Sequence, residues 1–282
     1  SRDTSHDQRL DPLGLLSSGI ALFALTYALI EANTYGWGSG RILGLFAIAA
    51  VFFVAFVLLE RHQRIPMLDL SLFKNATFAA SNAVMLLVGL AMFGVFFFIS
   101  LFVQGVLHYS PTQAGATFLP MTVLIILIAP QAGRLSDRFG PRWLITVGQA
   151  LLAVSLLLFS RLDAQSDFYD LLPALVIGGF GMALSMAPLT SAAMGSIPTD
   201  KAGVGSAVIN SMRQVGGSVG LALMGAIIAS QGAATATAPF TIHGFQLGLR
   251  TSAAIAACGC LIAASFIREV RVRGAQPAPE TA

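Results

Sequence analysis

The chain has 282 residues, of which 56% are hydrophobic and only 10% are charged, whereas charged residues make up about 25% of a typical soluble domain. A water-soluble fold cannot bury this much apolar surface, so the composition indicates a protein that is solvated by lipid. The net charge of +3 does not indicate nucleic-acid binding, and the four histidines and two cysteines lack metal-ligand spacing, so we expect no metal and no cofactor.

A membrane-spanning helix requires about 20 mostly apolar residues, and eight such runs follow one another along the chain. We predict helices over residues 13–31, 41–59, 77–107, 112–133, 142–160, 170–194, 204–230 and 245–267. The runs are continuously apolar and lack the alternation that is typical of a membrane β-barrel. The predicted fold class is therefore all-α, a polytopic membrane protein with eight transmembrane helices.

The positions of the basic residues predict the orientation of these helices. If the N-terminus is cytoplasmic, twelve of the 16 lysines and arginines lie on the cytoplasmic side and only Arg41, Arg161 and Arg250 lie outside. This bias follows the positive-inside rule, so we expect both termini in the cytoplasm.

A short basic segment joins the fourth and fifth predicted helices, and we call residues 133–142, which read GRLSDRFGPR, the gate segment. Gly133 and Gly140 favour a tight turn. Asp137 can pair with a neighbouring arginine or lie at a helix N-terminus, where the helix dipole favours a carboxylate. An ordinary positive-inside loop would explain the arginines, but it would not explain the whole pattern G-x-L-x-D-R-x-G-x-R.

That pattern resembles the loop signature of the major facilitator superfamily, which lies between the second and third helices of each six-helix half. Here the segment follows the second helix of the block that begins near Thr77, so its position also fits. The resemblance implies a cytoplasmic gate formed by Gly133, Asp137, Arg138, Gly140 and Arg142. It also implies that residues 77–267 form one six-helix half.

A second stretch is similar to the penultimate-helix region of the fourteen-helix drug:proton antiporter branch. The matching segments are APLT at 187–190, IPTDKAGVGS at 197–206 and NSMRQVGGSVG at 210–220. That branch inserts two extra helices between its halves, and the first two helices here fit the insertion. The resemblance implies the two extra helices and a loop at 13–76 and the C-terminal half at 77–267. Residues 1–12 are predicted to be a cytoplasmic segment, and the composition of residues 268–282 predicts a disordered tail.

The first six helices of that branch are absent from the sequence, together with the acidic residues that usually couple protons. The chain begins with Ser1 rather than Met, so we expect that an upstream portion was removed or not included. In the family, the loop aspartate of each half docks at a helix N-terminus of the other half. The resemblance therefore implies that Asp137 meets the missing half, and that Gly203 and Gly205 accept the loop of that half.

Two further features of the seventh predicted helix bear on function. Gly216 and Gly220 form a small-xxx-small face, which serves either as a sliding surface at the gate or as a static packing surface. Arg213 lies within the helix, about 14 Å from its predicted start at 1.5 Å per residue. A charge at such depth is often functional, but the side chain can also reach the headgroups as an anchor. Asn210 and Gln214 are its expected polar neighbours.

Four uncharged amides, Asn82, Gln104, Gln131 and Gln149, lie in other predicted helices. Such residues mostly hold helices together, and lining a substrate path is the alternative. The candidate path residues are Asn82, Gln131, Gln149, Asn210, Arg213 and Gln214.

The function that the resemblance implies is efflux of small amphipathic or drug-like molecules by proton antiport with alternating access. The expected partners are the lipid bilayer of a bacterial inner membrane, a small-molecule substrate and the missing N-terminal half. The alternatives are a homodimeric half-transporter and a non-transporting scaffold or sensor. An intramembrane enzyme is not expected, because no cluster of catalytic residue types lies at membrane depth.

Overall fold

The structure is a computed structural model that describes residues 12–62, 70–231 and 241–267. The chain divides into two compact units, residues 1–72 and 73–282. The described residues form nine α-helices and two short 3₁₀ turns. The helices are α1 (Pro12–Tyr35), α2 (Gly40–His62), α3 (Ala76–Gly105), α4 (Pro111–Thr117), α5 (Leu119–Phe139), α6 (Pro141–Phe159), α7 (Phe168–Gly195), α8 (Ala202–Ser230) and α9 (Ile242–Phe266).

Eight spans within the described residues are long and apolar enough to cross a membrane, with α4 and α5 counted as one span. Each coincides with one of the eight predicted helices, so the predicted all-α membrane fold is confirmed. The predicted tail at 268–282 and the loop residues 63–69 lie outside the described residues, as does the segment 1–11.

The first unit is a helical hairpin of α1 and α2. A stripe of alanines on α1, including Ala24, Ala28 and Ala32, is buried against α2, because small side chains let two helix backbones approach closely. Gly36 has a φ of 86° in the connecting turn, a conformation that glycine adopts without strain. Beside this turn, the Arg41 guanidinium donates a hydrogen bond to the Tyr27 hydroxyl at 2.8 Å.

The second unit holds the other six spans. Helix α3 lies at its centre and contacts α7, α8 and α9, while α6 packs on α7 and α9, and α5 packs mainly on α7. The core contains large buried side chains such as Phe78, Phe102 and Phe245. The rings of Phe102 and Phe245 stack at a centroid distance of 4.9 Å and join α3 to α9.

The turn between α3 and α4 lies where the sequence predicts it, at His108–Pro111. His108 has a φ of 56°, and Ser110 and Gln113 form a capping box at the start of α4. The predicted fourth helix is interrupted at Phe118, which separates α4 from α5. Pro120 follows this break, and proline disfavours helical geometry in the residue before it and donates no backbone hydrogen bond.

The predicted extent of the gate segment is wrong. We expected an irregular loop from Gly133 to Arg142, but α5 continues through Phe139 and α6 begins at Pro141. The turn is reduced to Gly140, which has a φ of 85° and a ψ of 150°. One glycine in this left-handed region is enough to reverse the chain, and Pro141 is compatible with the first turn of the next helix.

Candidate transport face and gate segment

The gate segment presents its charges at the junction of α5 and α6. Asp137, Arg134 and Arg138 are exposed, whereas Ser136 is buried and its carbonyl accepts a hydrogen bond from the Gly140 N–H at 2.9 Å. Among the described residues, no hydrogen bond or ion pair to the Asp137 carboxylate is found. The geometry therefore leaves this carboxylate available to a group outside the second unit.

Aromatic rings hold the arginines on either side of the turn. The Arg138 guanidinium lies 5.2 Å from the centroid of the Phe139 ring, and the Arg142 guanidinium lies 6.0 Å from that of Trp143. These distances are typical of cation–π contacts. Gly133 lies inside α5, and a methyl group added there would meet nothing within 4 Å. Only Gly140 of the two predicted turn glycines is therefore required by the turn.

The start of α8 contains the two glycines that the resemblance assigns to docking, and the structure places them differently. Gly203 is exposed, with nothing within 4 Å of an added methyl group. Gly205 is buried, and a methyl group there would overlap Ile197 and come within 3.0 Å of Met194 Cε. At the N-cap, Lys201 makes no side-chain hydrogen bond to the first turn. The surface of the first turn of α8 is thus exposed at Gly203 and closely packed at Gly205.

Gly216 and Gly220 lie where α8 crosses α3. A methyl group on Gly216 would overlap the Leu86 carbonyl, and one on Gly220 would overlap the Leu90 carbonyl. Two glycines of α3, Gly89 and Gly94, make the reciprocal approach to α8. Sequence analysis missed this pair, because their spacing of five residues does not match the small-xxx-small pattern. The two helices are in contact along their main chains.

The face of α8 that adjoins this contact is polar and largely exposed. We call Ser206, Asn210, Arg213, Gln214 and Ser218 the polar stripe. Ser206, Asn210 and Gln214 are exposed, and Arg213 and Ser218 are half-buried. Their spacing places all five on one side of the helix. The exposed stripe of α6 is apolar by contrast, and it consists of Trp143, Val147, Val154 and Leu157.

Arg213 lies deeper in its helix than predicted. Because α8 begins at Ala202, the Arg213 Cα lies about 16 Å from the helix start at 1.5 Å per residue, about 3 Å further than from the predicted start at residue 204. Its Nη2 donates a hydrogen bond to Asn210 Oδ1 at 2.7 Å, as expected for neighbours in one polar cluster. A second correction concerns Arg250, which lies about 12 Å inside α9 because that helix begins early, at Ile242.

The amides of the other helices divide into buried and exposed groups. Asn82 is 2% exposed and donates to the Phe78 carbonyl, and Gln149 is 0% exposed. Gln149 Nε2 donates to Ser185 Oγ at 3.1 Å and thereby joins α6 to α7. Gln131, in contrast, is exposed on α5 and donates to the Leu127 carbonyl at 3.0 Å. The structure therefore brings only part of the predicted path set to an open face.

Comparison with known proteins decides the family. The family model described as the Major Facilitator Superfamily matches residues 4–221. The chain belongs to the major facilitator superfamily. The predicted membership is therefore confirmed. Members of this superfamily are transporters, so the match supports a transporter rather than an enzyme. With its eight apolar spans, the chain is an integral membrane protein of this superfamily.

Individual superfamily members resemble the chain over most of its length. The tetracenomycin C resistance and export protein of Streptomyces glaucescens is 34% identical over 221 residues, which are 78% of this chain and 41% of that protein. Multidrug resistance protein Stp of Mycobacterium tuberculosis is 33% identical over 228 residues, 81% of this chain and 42% of that protein. Puromycin resistance protein pur8 of Streptomyces alboniger is 32% identical over 261 residues, which are 88% of this chain and 52% of that protein. The chain thus spans about half the length of these curated relatives.

Proposed function

We propose that the chain is the C-terminal part of a fourteen-helix exporter of small amphipathic or drug-like molecules. The proposal is supported by its similarity to proteins named for resistance to, or export of, tetracenomycin C, puromycin and multiple drugs. In this assignment α1 and α2 are the two helices between the halves, and α3–α9 are the C-terminal half. The remaining six helices are a partner, encoded upstream or as a second subunit.

The polar stripe on α8 is the observation that carries this proposal. A lipid-facing helix surface is apolar, as the exposed stripe of α6 is, because polar groups in hydrocarbon lack hydrogen-bonding partners. Five polar residues on one exposed face of a spanning helix therefore indicate contact with water, substrate or another part of the transporter. We assign the polar stripe, together with Gln131, to the substrate path. We leave out Asn82 and Gln149, which are enclosed by protein.

The gate segment fits the moving part of an alternating-access cycle. Such a cycle rocks one half against the other around a central site, and closing the gate requires contacts that form and break at low cost. An exposed carboxylate at Asp137 that docks at a helix N-terminus of the other half meets this requirement. The exposed surface at Gly203, near the start of α8, offers the reciprocal position for the loop of that half.

The proposed orientation places both termini in the cytoplasm of a bacterial cell, in its inner membrane. It is supported by the excess of basic residues at the corresponding loops. We also propose that export is coupled to proton entry. The carboxylates in the described part of the second unit are Asp137, Asp163, Asp167, Asp170 and Asp200, all at or beyond helix ends. The coupling carboxylate is therefore expected outside the second unit, and the family resemblance points to the N-terminal half.

The test is accumulation of ethidium and puromycin in an efflux-deficient bacterium that expresses the transporter containing this chain. We expect accumulation to fall severalfold relative to the Asp137→Ala variant at equal membrane abundance, and a protonophore to abolish the difference. Unchanged accumulation of every drug tested would favour the scaffold or sensor alternative. A native mass near 29.5 kDa, with cross-linking to a second copy, would favour the homodimeric half-transporter.

A further inference from the structure

Arg213 is a guanidinium held at membrane depth with most of its hydrogen-bonding capacity unused. Arginine has five N–H donors, and in the described residues only one hydrogen bond from its side chain is found, to Asn210. The residue is half-buried on the polar stripe. A charge at such depth faces the bundle interior or a water-filled cavity, where it pairs with another group or binds substrate, so the remaining donors indicate a partner beyond Asn210.

The partner does not come from the described part of the second unit. Helix α3, on which α8 packs most extensively, contains no ionisable residue, and Arg213 is the only one in α8. The five described carboxylates of this unit lie at or beyond helix ends, and the nearest in sequence is Asp200. Asp200 precedes Arg213 by thirteen residues, which corresponds to about 20 Å along a helix.

The main chain at Arg213 is held in place by α3. A methyl group added to Gly89 would overlap the Arg213 carbonyl oxygen and lie 3.0 Å from the Gly217 nitrogen. On the side chain, Asn210 Oδ1 accepts from Nη2 at 2.7 Å. Both ends of the residue are thus fixed before any ligand arrives. Such preorganisation lowers the entropy that is lost when a partner binds.

We infer that Arg213 is an anion-binding residue of the polar stripe whose partner is a carboxylate from outside the second unit. The planar guanidinium fork binds a carboxylate through two parallel hydrogen bonds, and the hydrogen bond to Asn210 uses one of its five N–H donors. The carboxylate belongs either to an anionic amphipathic substrate or to an acidic side chain of the rest of the transporter. The inference rests on the proposed export function and specifies what its substrate path recognises.

The experiment measures heat resistance of the purified full transporter, as the fraction that stays monodisperse after heating. The probe is 2-naphthoate, with 2-naphthamide as the uncharged molecule of nearly the same shape. The variants are Arg213→Gln, Arg213→Lys and the matched control Arg250→Gln. Arg250 is a second arginine inside a span, but it is exposed on α9 and lies outside the polar stripe.

If the substrate supplies the carboxylate, 2-naphthoate, but not 2-naphthamide, should raise the midpoint temperature of heat denaturation by about 3 °C or more. The rise should disappear in Arg213→Gln, shrink in Arg213→Lys because the fork is lost, and persist in Arg250→Gln. If Arg213→Gln yields no folded protein, Arg213→Lys decides this result.

If the transporter supplies the carboxylate, 2-naphthoate should leave the midpoint temperature unchanged. The midpoint should then be lower in Arg213→Gln than in Arg250→Gln. Neutralising one acidic residue outside the second unit should then restore the midpoint, because removing both members of a buried pair costs less than removing one. If neither the response to 2-naphthoate nor this restoration is found, the inference is overturned. The assay does not require transport, so its failure is distinct from a failure to export drugs.

Discussion

Gly89 of α3 lies against the main-chain carbonyl of Arg213 in α8, so closely that no side chain fits between them. This approach fixes the height and rotation of α8 at the position where the polar stripe carries its only charge. The packing of α8 against the glycines of α3 therefore positions the polar residues on the adjoining face of α8.

Gly89→Ala should destabilise the protein, because the added methyl group meets the Arg213 carbonyl and α8 must move away from α3. Overpacking of this kind costs about 1–3 kcal/mol. The measurement is the midpoint of heat denaturation of the purified protein. Gly44→Ala in α2 is the matched control, since a methyl group there meets nothing within 4 Å. A midpoint for Gly89→Ala equal to that of Gly44→Ala would contradict the close contact.

Gly220→Ala tests whether the glycine face of α8 is a static packing surface or a surface that slides during the transport cycle. If α3 and α8 pack statically, the methyl group lowers stability through its overlap with Leu90, and transport per folded molecule stays within about twofold. If the face slides during the cycle, transport per folded molecule falls by about tenfold or more, since each 1.4 kcal/mol added to a barrier slows the step tenfold. We predict the first result, because both members of this contact lie in the same compact unit.

Asp137→Asn should leave insertion and abundance unchanged and reduce drug export by about tenfold. The side chain keeps its size but loses the charge that a helix N-terminus favours. Asp163→Asn is the control, because Asp163 lies in the α6–α7 connection, and its Oδ1 accepts from the Gln165 N–H at 2.9 Å. Export by Asp137→Asn at the level of Asp163→Asn would remove the gating role.

Gln149→Leu should affect stability and Gln131→Leu should affect export, although sequence analysis placed both residues in one group. Gln149 is buried and hydrogen-bonded to Ser185, so its loss should lower stability by about 1–3 kcal/mol because Ser185 loses its partner. Gln131 is exposed, so its loss should leave stability unchanged and reduce the export of at least one drug. Stability midpoints and export rates of both variants check this prediction.

The sequence predicts the helices of this fold well, because continuous apolar runs of sufficient length have only one stable form in lipid. It predicts their ends less well, since the same residues are compatible with a helix or a loop. The gate segment is polar and basic, yet its first seven residues continue α5. Local composition indicates where the chain leaves the apolar region, and helices continue beyond that boundary.

The candidate site was only partly predictable for a different reason. Asn210, Arg213 and Gln214 are adjacent along one helix, so their grouping follows from helical spacing. Gln149 and Asn82 look the same in sequence but are enclosed by neighbouring helices, which depends on tertiary packing. Gly89 and Gly94 were missed because their role follows from where α8 crosses α3, and the sequence of α3 alone does not specify that crossing.

The central claim is that the polar stripe of α8 faces an aqueous path, and cysteine labelling in intact membranes tests it most directly. Asn210→Cys, Gln214→Cys and the control Val147→Cys, on the apolar exposed stripe of α6, are made in a Cys258→Ala, Cys260→Ala background, because Cys258 is exposed on α9. N-ethylmaleimide reacts with the thiolate, which forms in water and not in hydrocarbon. We predict that cysteines at 210 and 214 are labelled within minutes and that the cysteine at 147 is not. Equal labelling at all three positions, or labelling at 147 alone, would contradict the account.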